Sequence, residues 1–369
     1  MKLLQELKKI AAELRQESLE AELQGSLTTK QLAVIYENKL FNLFVPKAYG
    51  GLDLSLTEAL QIERLLAEID GSLGWTVTLC SGANMFVGFL NQDIAHPLFS
   101  NKKVCFGGSG RVGGHAEIME EGYLVSGKWQ YATGAAHNTV FTANCEIYQN
   151  GEPLLDAAKK PVIKSFFFLQ DEVTILHDWN AMGLKATASH SFEVNNLKVE
   201  KRRAFKIDPQ GAILKAPIYR YPFQQFAEAT LCVNTLGMTC RFLDLCHEIF
   251  DEKYSDVRDN YHGKMKLPDQ YLSNAKLEMN NLQRQLYELV EKSWMQLNTT
   301  NAIDLALLEQ ISKHTRLLVK TAQQWVAKLY PYCGMKAASP TEEINRMWRD
   351  LFTASQHSLF TSPIIDEID

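Results

Sequence analysis

The chain lacks paired cysteines. Its seven cysteines (80, 105, 145, 232, 240, 246 and 333) are far apart, with no CxxC pair. That spacing predicts neither a cysteine zinc site nor a disulfide framework. The nine histidines show no HExxH spacing, so no metal site is expected. No apolar run approaches the ~18 residues of a membrane-spanning helix. The opening stretch, MKLLQELKKIAAELRQE, is charged throughout and has no signal-peptide core. An excess of basic charge is also missing: 38 Lys+Arg against 43 Asp+Glu leave a net charge of −5. Nucleic acid as a main partner usually requires a basic patch and is therefore not expected. These absences together predict a reduced, cytoplasmic protein with no membrane partner.

What is present is an ordinary globular composition, 46% hydrophobic and 22% charged over 369 residues. At ~150 residues per domain that length predicts roughly two to three domains. The hydrophobic period changes twice along the chain. Residues 1–103 read as helical: Leu4, Leu7, Ile10, Ala11 and Leu14 repeat at three and four. A capping box, Ser55-x-x-Glu58, opens a helix whose apolar face is Ala59, Ile62, Leu65, Leu66 and Ile69. Residues 104–208 read as strands, rich in aromatic and β-branched residues, with a turn expected at Asn195-Asn196. Residues 209–369 return to a helical period. Leu272, Ala275, Met279, Leu282, Leu286 and Leu289 step by three and four, and Leu307, Ile311, His314, Leu318, Ala322 and Trp325 do much the same. Long amphipathic helices in series predict an antiparallel bundle. The expected class is α+β: an N-terminal helical domain, a central β-barrel or sandwich, and a C-terminal four-helix bundle.

Residues 108–113 spell Gly-Ser-Gly-Arg-Val-Gly, a literal GxGxxG. A dinucleotide fingerprint needs a helix immediately after it, whereas here a turn and a strand follow. The segment reads instead as a glycine-rich loop whose backbone N–H groups can approach a ligand.

Several segments resemble one superfamily. LFVPKAYGGLDLSLTEALQIERLLAEIDGSLGW is similar to the N-terminal helical segment of acyl-CoA dehydrogenases. GGSGRVGGHAE followed by GYLVSGKWQYATG resembles the β-domain stretch that wraps the flavin. WNAMGLKATASHSFEVNNLKV resembles a strand pair of the same family. The matches run in order across about residues 20–360. The C-terminus then distinguishes branches. Acyl-CoA dehydrogenases commonly carry a glutamate base soon after an "RD" pair. Here Arg349-Asp350 is followed by LFTASQHSLFTSP, with no glutamate until Glu367. WRDLFTASQHS instead resembles the ending of the two-component flavin monooxygenases that share the fold.

The resemblance implies a flavin, FAD or FMN with FAD favoured, and reduced flavin delivered by a separate NAD(P)H-flavin reductase. It implies a small-molecule substrate and a homotetramer. It carries a catalytic role to His357, facing the flavin, and to Thr133, a hydroxyl donor near flavin N5. A histidine suits proton transfer near neutral pH. Ser109 and Gly110 fall in the family's "G-S" turn beside the flavin phosphate or the substrate. Trp129 and Tyr131 are candidates for stacking near the flavin ring, a core role being equally open. His137 matches a histidine frequent in the monooxygenase branch, with a plain loop position as the other reading. Thr187 and Ser189 read as structural, and Arg349 with Asp350 as an architectural pair at a helix interface. Three functions follow: a monooxygenase, an acyl-CoA dehydrogenase whose base lies elsewhere (Glu228 being one candidate), and a flavin-binding homologue without activity. Apolar stretches at 76–90 and 226–238 predict a compact apolar substrate pocket.

Overall fold

The structure, a computed structural model, describes residues 2–258 and 266–361. Among the described residues six α-helices precede the strands: α1 (Lys2–Gln16), α2 (Ser18–Gln24), α3 (Thr29–Glu37), α4 (Leu56–Ile69), α5 (Gly71–Asn84) and α6 (Gln92–Ser100). The Ser55–Glu58 capping box forms as expected: the Ser55 side chain accepts the Glu58 N–H, and Glu58 accepts the Ser55 N–H. The predicted face of α4 is buried throughout. Asp70 ends α4 and caps α5, its Oδ1 accepting the Leu73 N–H at 2.8 Å. α5 is buried on almost every side, which its small and apolar residues permit.

The strands are β1 (Phe106–Met119), β2 (Gly122–Ala132), β3 (Val140–Gln149), β4 (Glu152–Pro153), β5 (Ile163–Leu169), β6 (Thr174–Ile175), β7 (His190–Glu200) and β8 (Ala204–Phe205). They form one mixed sheet in the order β6-β7-β2-β1-β3-β5-β8, with β4 on β3. β1 and β3 pair in parallel and the other pairs are antiparallel. The sheet has its own aromatic core, built on Trp129, Phe141, Phe166, Phe168 and Phe192.

Two local expectations fail here. The GxGxxG segment is not a loop but part of β1, bulged against β3 between Ser109 and Gly114. Its last glycine serves packing: a Cβ on Gly113 would lie 2.7 Å from the Trp129 ring. Asn195-Asn196 is not a turn either. β7 runs straight through it, with Asn196 at φ +49° in a bulge and its N–H donated to Ser126 Oγ.

After the strands come α7 (Phe223–Arg258), α8 (Lys266–Thr300), α9 (Leu305–Leu329), α10 (Met335–Ala338), α11 (Glu343–Ala354) and α12 (Ser358–Thr361). α7 packs against α8, α9 and α11, and also against α4 from the first half of the chain. The α4–α7 approach needs Gly237, where a Cβ would lie 2.2 Å from the Arg64 carbonyl oxygen. One hydrophobic core therefore runs through the helices on both sides of the strands, from Leu7 to Ala354. Among the described residues no helix is long and apolar enough to cross a membrane.

Candidate functional site

Where β2 ends, Thr133 turns inward and is buried. Its Oγ1 lies 2.9 Å from Ser189 Oγ, and Ser189 Oγ lies 2.7 Å from Thr187 Oγ1. Thr187 Oγ1 donates to the Leu184 carbonyl at 2.8 Å. Each hydroxyl has one proton. Thr187 spends its proton on Leu184, so Ser189 must donate to Thr187, and Thr133 must donate to Ser189. The network thus assigns every proton inward. Thr133 presents only lone pairs to the site, so the expected donor is an acceptor. Thr187 and Ser189, which the sequence suggested were merely structural, set that polarity.

Beside Thr133, Tyr131 is held at φ +67° with half its surface exposed (51%). A left-handed backbone is costly for a bulky aromatic and marks a position held for a purpose. The Arg111 guanidinium sits over the Tyr131 ring at 5.3 Å, and Trp179 meets the same ring edge-on at 6.2 Å. Trp179 Nε1 donates to the Leu184 carbonyl, the anchor of the hydroxyl chain, at 2.9 Å. Gln130, Tyr131, Asp178, Trp179, Asn180 and Ser189 line a cleft of about 300 Å³. Ser109 and Gly110 lie on β1 next to Arg111; Ser109 Oγ accepts the Arg111 N–H, and the Gly110 carbonyl accepts from Asn144 Nδ2.

Trp129 does not belong to this group. It is 1% exposed, stacks on Phe192 at 5.2 Å and donates Nε1–H to the Asn144 carbonyl. Strand alternation sends it into the sheet core while Tyr131, past the end of regular pairing with β7, faces out. The expected stacking role for Trp129 is therefore corrected to a core role.

His357 follows the end of α11. Its ring meets Trp75 of α5 edge-on at 6.1 Å, and its Nδ1 accepts the Leu359 N–H at 3.3 Å. In the neutral ring this leaves the proton on Nε2. Burial, and then the positive charge of Arg111, hold the imidazole pKa below its ordinary value. Arg316 steadies the segment by donating Nε–H to the Leu359 carbonyl. The same guanidinium pairs with Glu228 at 3.3 Å, and Glu228 also accepts from Ser312 and Gln224. Glu228 is thus engaged on both oxygens rather than available as a base. Glu367 lies outside the described residues.

Arg349 and Asp350 brace the site from behind. Arg349 donates to the Met182 carbonyl and to both oxygens of Glu22, and Asp350 accepts the Leu184 N–H. His137 is elsewhere. Its ring stacks on Phe41, and one of its ring nitrogens converges with the thiols of Cys80 and Cys105. Sequence reasoning missed Arg111, Trp75 and Trp179. The first two lay within stretches singled out on other grounds, and Trp179 opened one of the resembling segments.

A family profile described as "Acyl-CoA dehydrogenase, C-terminal domain" matches residues 229–362. The chain is 25% identical over 326 residues to the indole-3-acetate monooxygenase of Acinetobacter baumannii, covering 86% of this chain and 80% of that one. It is 21% identical over 374 residues to the flavin-dependent monooxygenase oxygenase subunit HsaA of Rhodococcus jostii, covering 96% and 94%. Over residues 229–362 the chain is thus similar to the acyl-CoA dehydrogenases. Both of these relatives are monooxygenases by name. A shared fold extends over almost the whole chain: the crystal structure of 3-HSA hydroxylase from Rhodococcus sp. RHA1 superposes with a TM-score of 0.89 at 20% identity, covering 98% of this chain and 94% of that one. Two further structures of the fold hold a flavin. XiaF from Streptomyces sp. is bound to FADH2 and glycerol (TM-score 0.84, 17% identity, 97% and 91% covered). TdsC from Paenibacillus sp. A11-2 is bound to FMN and indole (TM-score 0.77, 16% identity, 96% and 93% covered).

Proposed function

We propose that this protein is the oxygenase component of a two-component flavin-dependent monooxygenase. It takes reduced flavin, FAD favoured over FMN, from a separate NAD(P)H-flavin reductase and acts on a small organic substrate. The observation that carries the reading is the inward polarity of the Thr133–Ser189–Thr187 chain. A reduced flavin ring carries an N–H where the oxidised ring carries a bare nitrogen, and a hydroxyl fixed as an acceptor favours the former. The residues present also fit such a group in other respects. Tyr131 and Trp179 offer aromatic faces, Arg111 offers positive charge, and half-buried Ser109 and exposed Gly110 offer a strand segment beside Arg111.

Reduced flavin, when bound, supplies the electrons that split O2, one oxygen atom going to the substrate and the other to water. The chain's own residues do the rest. Thr133 accepts a ring N–H and keeps that proton in place. His357, neutral with its proton on Nε2, donates toward the reacting oxygen or the substrate and takes the proton back when the cycle closes. Trp75, packed on His357, helps exclude water. The occupied state of Glu228 argues against the dehydrogenase alternative, which needs a free carboxylate. Exposed Leu277 and Met295 on α8 and Leu305 and Leu317 on α9 leave apolar surface that suits a homotetramer.

The test supplies chemically reduced flavin and ¹⁸O2 to the protein with a panel of small aromatic and heteroaromatic compounds. Mass spectrometry should find one labelled oxygen in a product. His357→Ala should lower product formation by on the order of 10²-fold with reduced-flavin affinity retained. Unlabelled product, or bleaching of bound oxidised flavin by acyl-CoA thioesters, would overturn the reading.

A further inference from the structure

Beneath the Thr133 turn the fold assembles a group of side chains that the reaction does not use. Cys80 comes from α5, Cys105 from the residue before β1, and His137 from the β2–β3 connection. Their two sulfurs and one imidazole nitrogen all lie within 4.8 Å of one another. Both thiols are fully buried, and His137 Nε2 is buried with no hydrogen-bond partner. An orphaned buried nitrogen facing two thiols has to be explained. The convergence is tight: a Cβ on Gly134 would lie 2.9 Å from Cys80 Sγ and 3.0 Å from His137 Nε2.

A fourth donor completes the group. Asn138 Oδ1 lies 3.2 Å from Cys105 Sγ and 3.8 Å from Cys80 Sγ. Its orientation is held from behind, because Asn138 Nδ2 donates to the Thr133 carbonyl at 3.0 Å. In a tetrahedral zinc site, bond lengths of ~2.3 Å to sulfur and ~2.1 Å to oxygen put sulfur and oxygen about 3.6 Å apart. The two observed separations bracket that value.

We propose that Cys80, Cys105, His137 and Asn138 form a closed, structural zinc site. Charge selects the ion. Two thiolates cancel Zn²⁺, so the buried centre is neutral, whereas Cu⁺ would leave an uncompensated negative charge in an apolar setting. Magnesium and calcium want oxygen ligands, of which the group has one. With four protein donors the site has no open position, so its role is to tie α5, the entry to β1 and the Thr133 turn together. Binding converts two thiols to thiolates and releases about two protons. The assignment does not depend on the flavin reading: its ligands line no part of the cleft of Tyr131 and Trp179 and reach Thr133 only at its backbone carbonyl.

The experiment measures zinc in protein purified without an affinity tag and reconstituted anaerobically with Zn²⁺. About one zinc per chain is expected, falling at least about tenfold in Cys80→Ala and in Cys105→Ala but not in the control Cys145→Ala, whose thiol is buried in the sheet. Cobalt substitution of the wild-type chain should give thiolate charge-transfer absorption with tetrahedral ligand-field bands, a readout that survives if a variant fails to fold. A strong chelator should lower the midpoint of thermal unfolding. Wild-type protein that takes up no zinc and shows no such cobalt spectrum would overturn the proposal. So would an intact mass showing Cys80 and Cys105 joined as a disulfide in the reconstituted protein, or zinc content unchanged in both variants.

Discussion

Asp350 accepts the backbone N–H of Leu184 at 2.6 Å, joining α11 to a loop 166 residues earlier. Leu184 is held at φ +52°, and its carbonyl oxygen receives both Trp179 Nε1–H and Thr187 Oγ1–H. One residue, through its N–H on one side and its carbonyl on the other, thus links the C-terminal helices to the chain of hydroxyls that ends at Thr133. Arg349, the neighbour of Asp350, grips the Met182 carbonyl in the same loop. The Arg-Asp pair is architecture in that it touches no cleft residue, yet it determines where the cleft residues sit.

Asp350 is fully buried with Oδ2 unpartnered, and burial together with the nearby Asp70 pushes its pKa up to about 7 from an ordinary 3.8. A carboxyl whose folded pKa is raised stabilises the fold while protonated, and that contribution is lost as pH rises through about 7. Asp350→Asn keeps an acceptor for Leu184 and removes the titration. The wild-type unfolding temperature should therefore fall relative to the variant's between about pH 5 and pH 8. Parallel curves for the two proteins over that range would contradict the buried-acid assignment.

Ser189→Ala removes the acceptor that commits the Thr133 proton inward. Its cost in stability should be about 1 kcal/mol, as for one lost hydrogen bond. In the proposed reaction the larger effect is on coupling: more hydrogen peroxide per molecule of product, by several-fold. Thr187→Ser, which keeps the hydroxyl, should behave like the wild type. Peroxide yield measured alongside product distinguishes the two variants, and equal coupling in both would remove Thr133 polarity from the mechanism.

Arg111 holds the His357 pKa down through its charge, after burial. Arg111→Gln should let that pKa rise toward the ordinary value. The neutral ring carries the donor proton on Nε2, so the acid limb of the activity profile should move to higher pH. Added salt should shift the wild type in the same direction, because an exposed charge is screened. An acid limb that stays put in the variant would uncouple His357 from the rate-determining step.

Trp129→Phe should cost about 1–3 kcal/mol, from a smaller ring in a packed core and an unpaired Asn144 carbonyl. Its effect on flavin affinity should be small. Tyr131→Ala should do the reverse, changing affinity with little loss of stability. Chemical denaturation paired with flavin titration checks both. A large affinity loss in Trp129→Phe at unchanged stability would restore the stacking role that the structure denies it.

Much of the architecture was legible because it depends on short-range pattern. The three- and four-residue spacing of α4, α8 and α9 predicted faces that are buried, apart from half-buried Leu289, His314 and Trp325, and the Ser55–Glu58 box marks a real helix start. β1 misled because five glycines in nine residues suggest a loop, whereas the fold runs a strand through them and uses Gly113 and Gly114 to let it lie against the Trp129 ring. Trp129 and Tyr131 are two residues apart and look alike in sequence. Only the break in β2–β7 pairing beyond Trp129 sends one inward and the other out.

By itself the sequence determined the order of helices, strands and helices, the start of α4 and most of the buried faces, because neighbouring residues settle those through period and capping. Tertiary structure alone decided which way the Thr133 hydroxyl points, why Asp350 matters, and that Cys80, Cys105 and His137 meet. Those depend on side chains from distant segments converging within a few ångströms. That convergence is set by strand pairing and helix packing, and no local spacing records it.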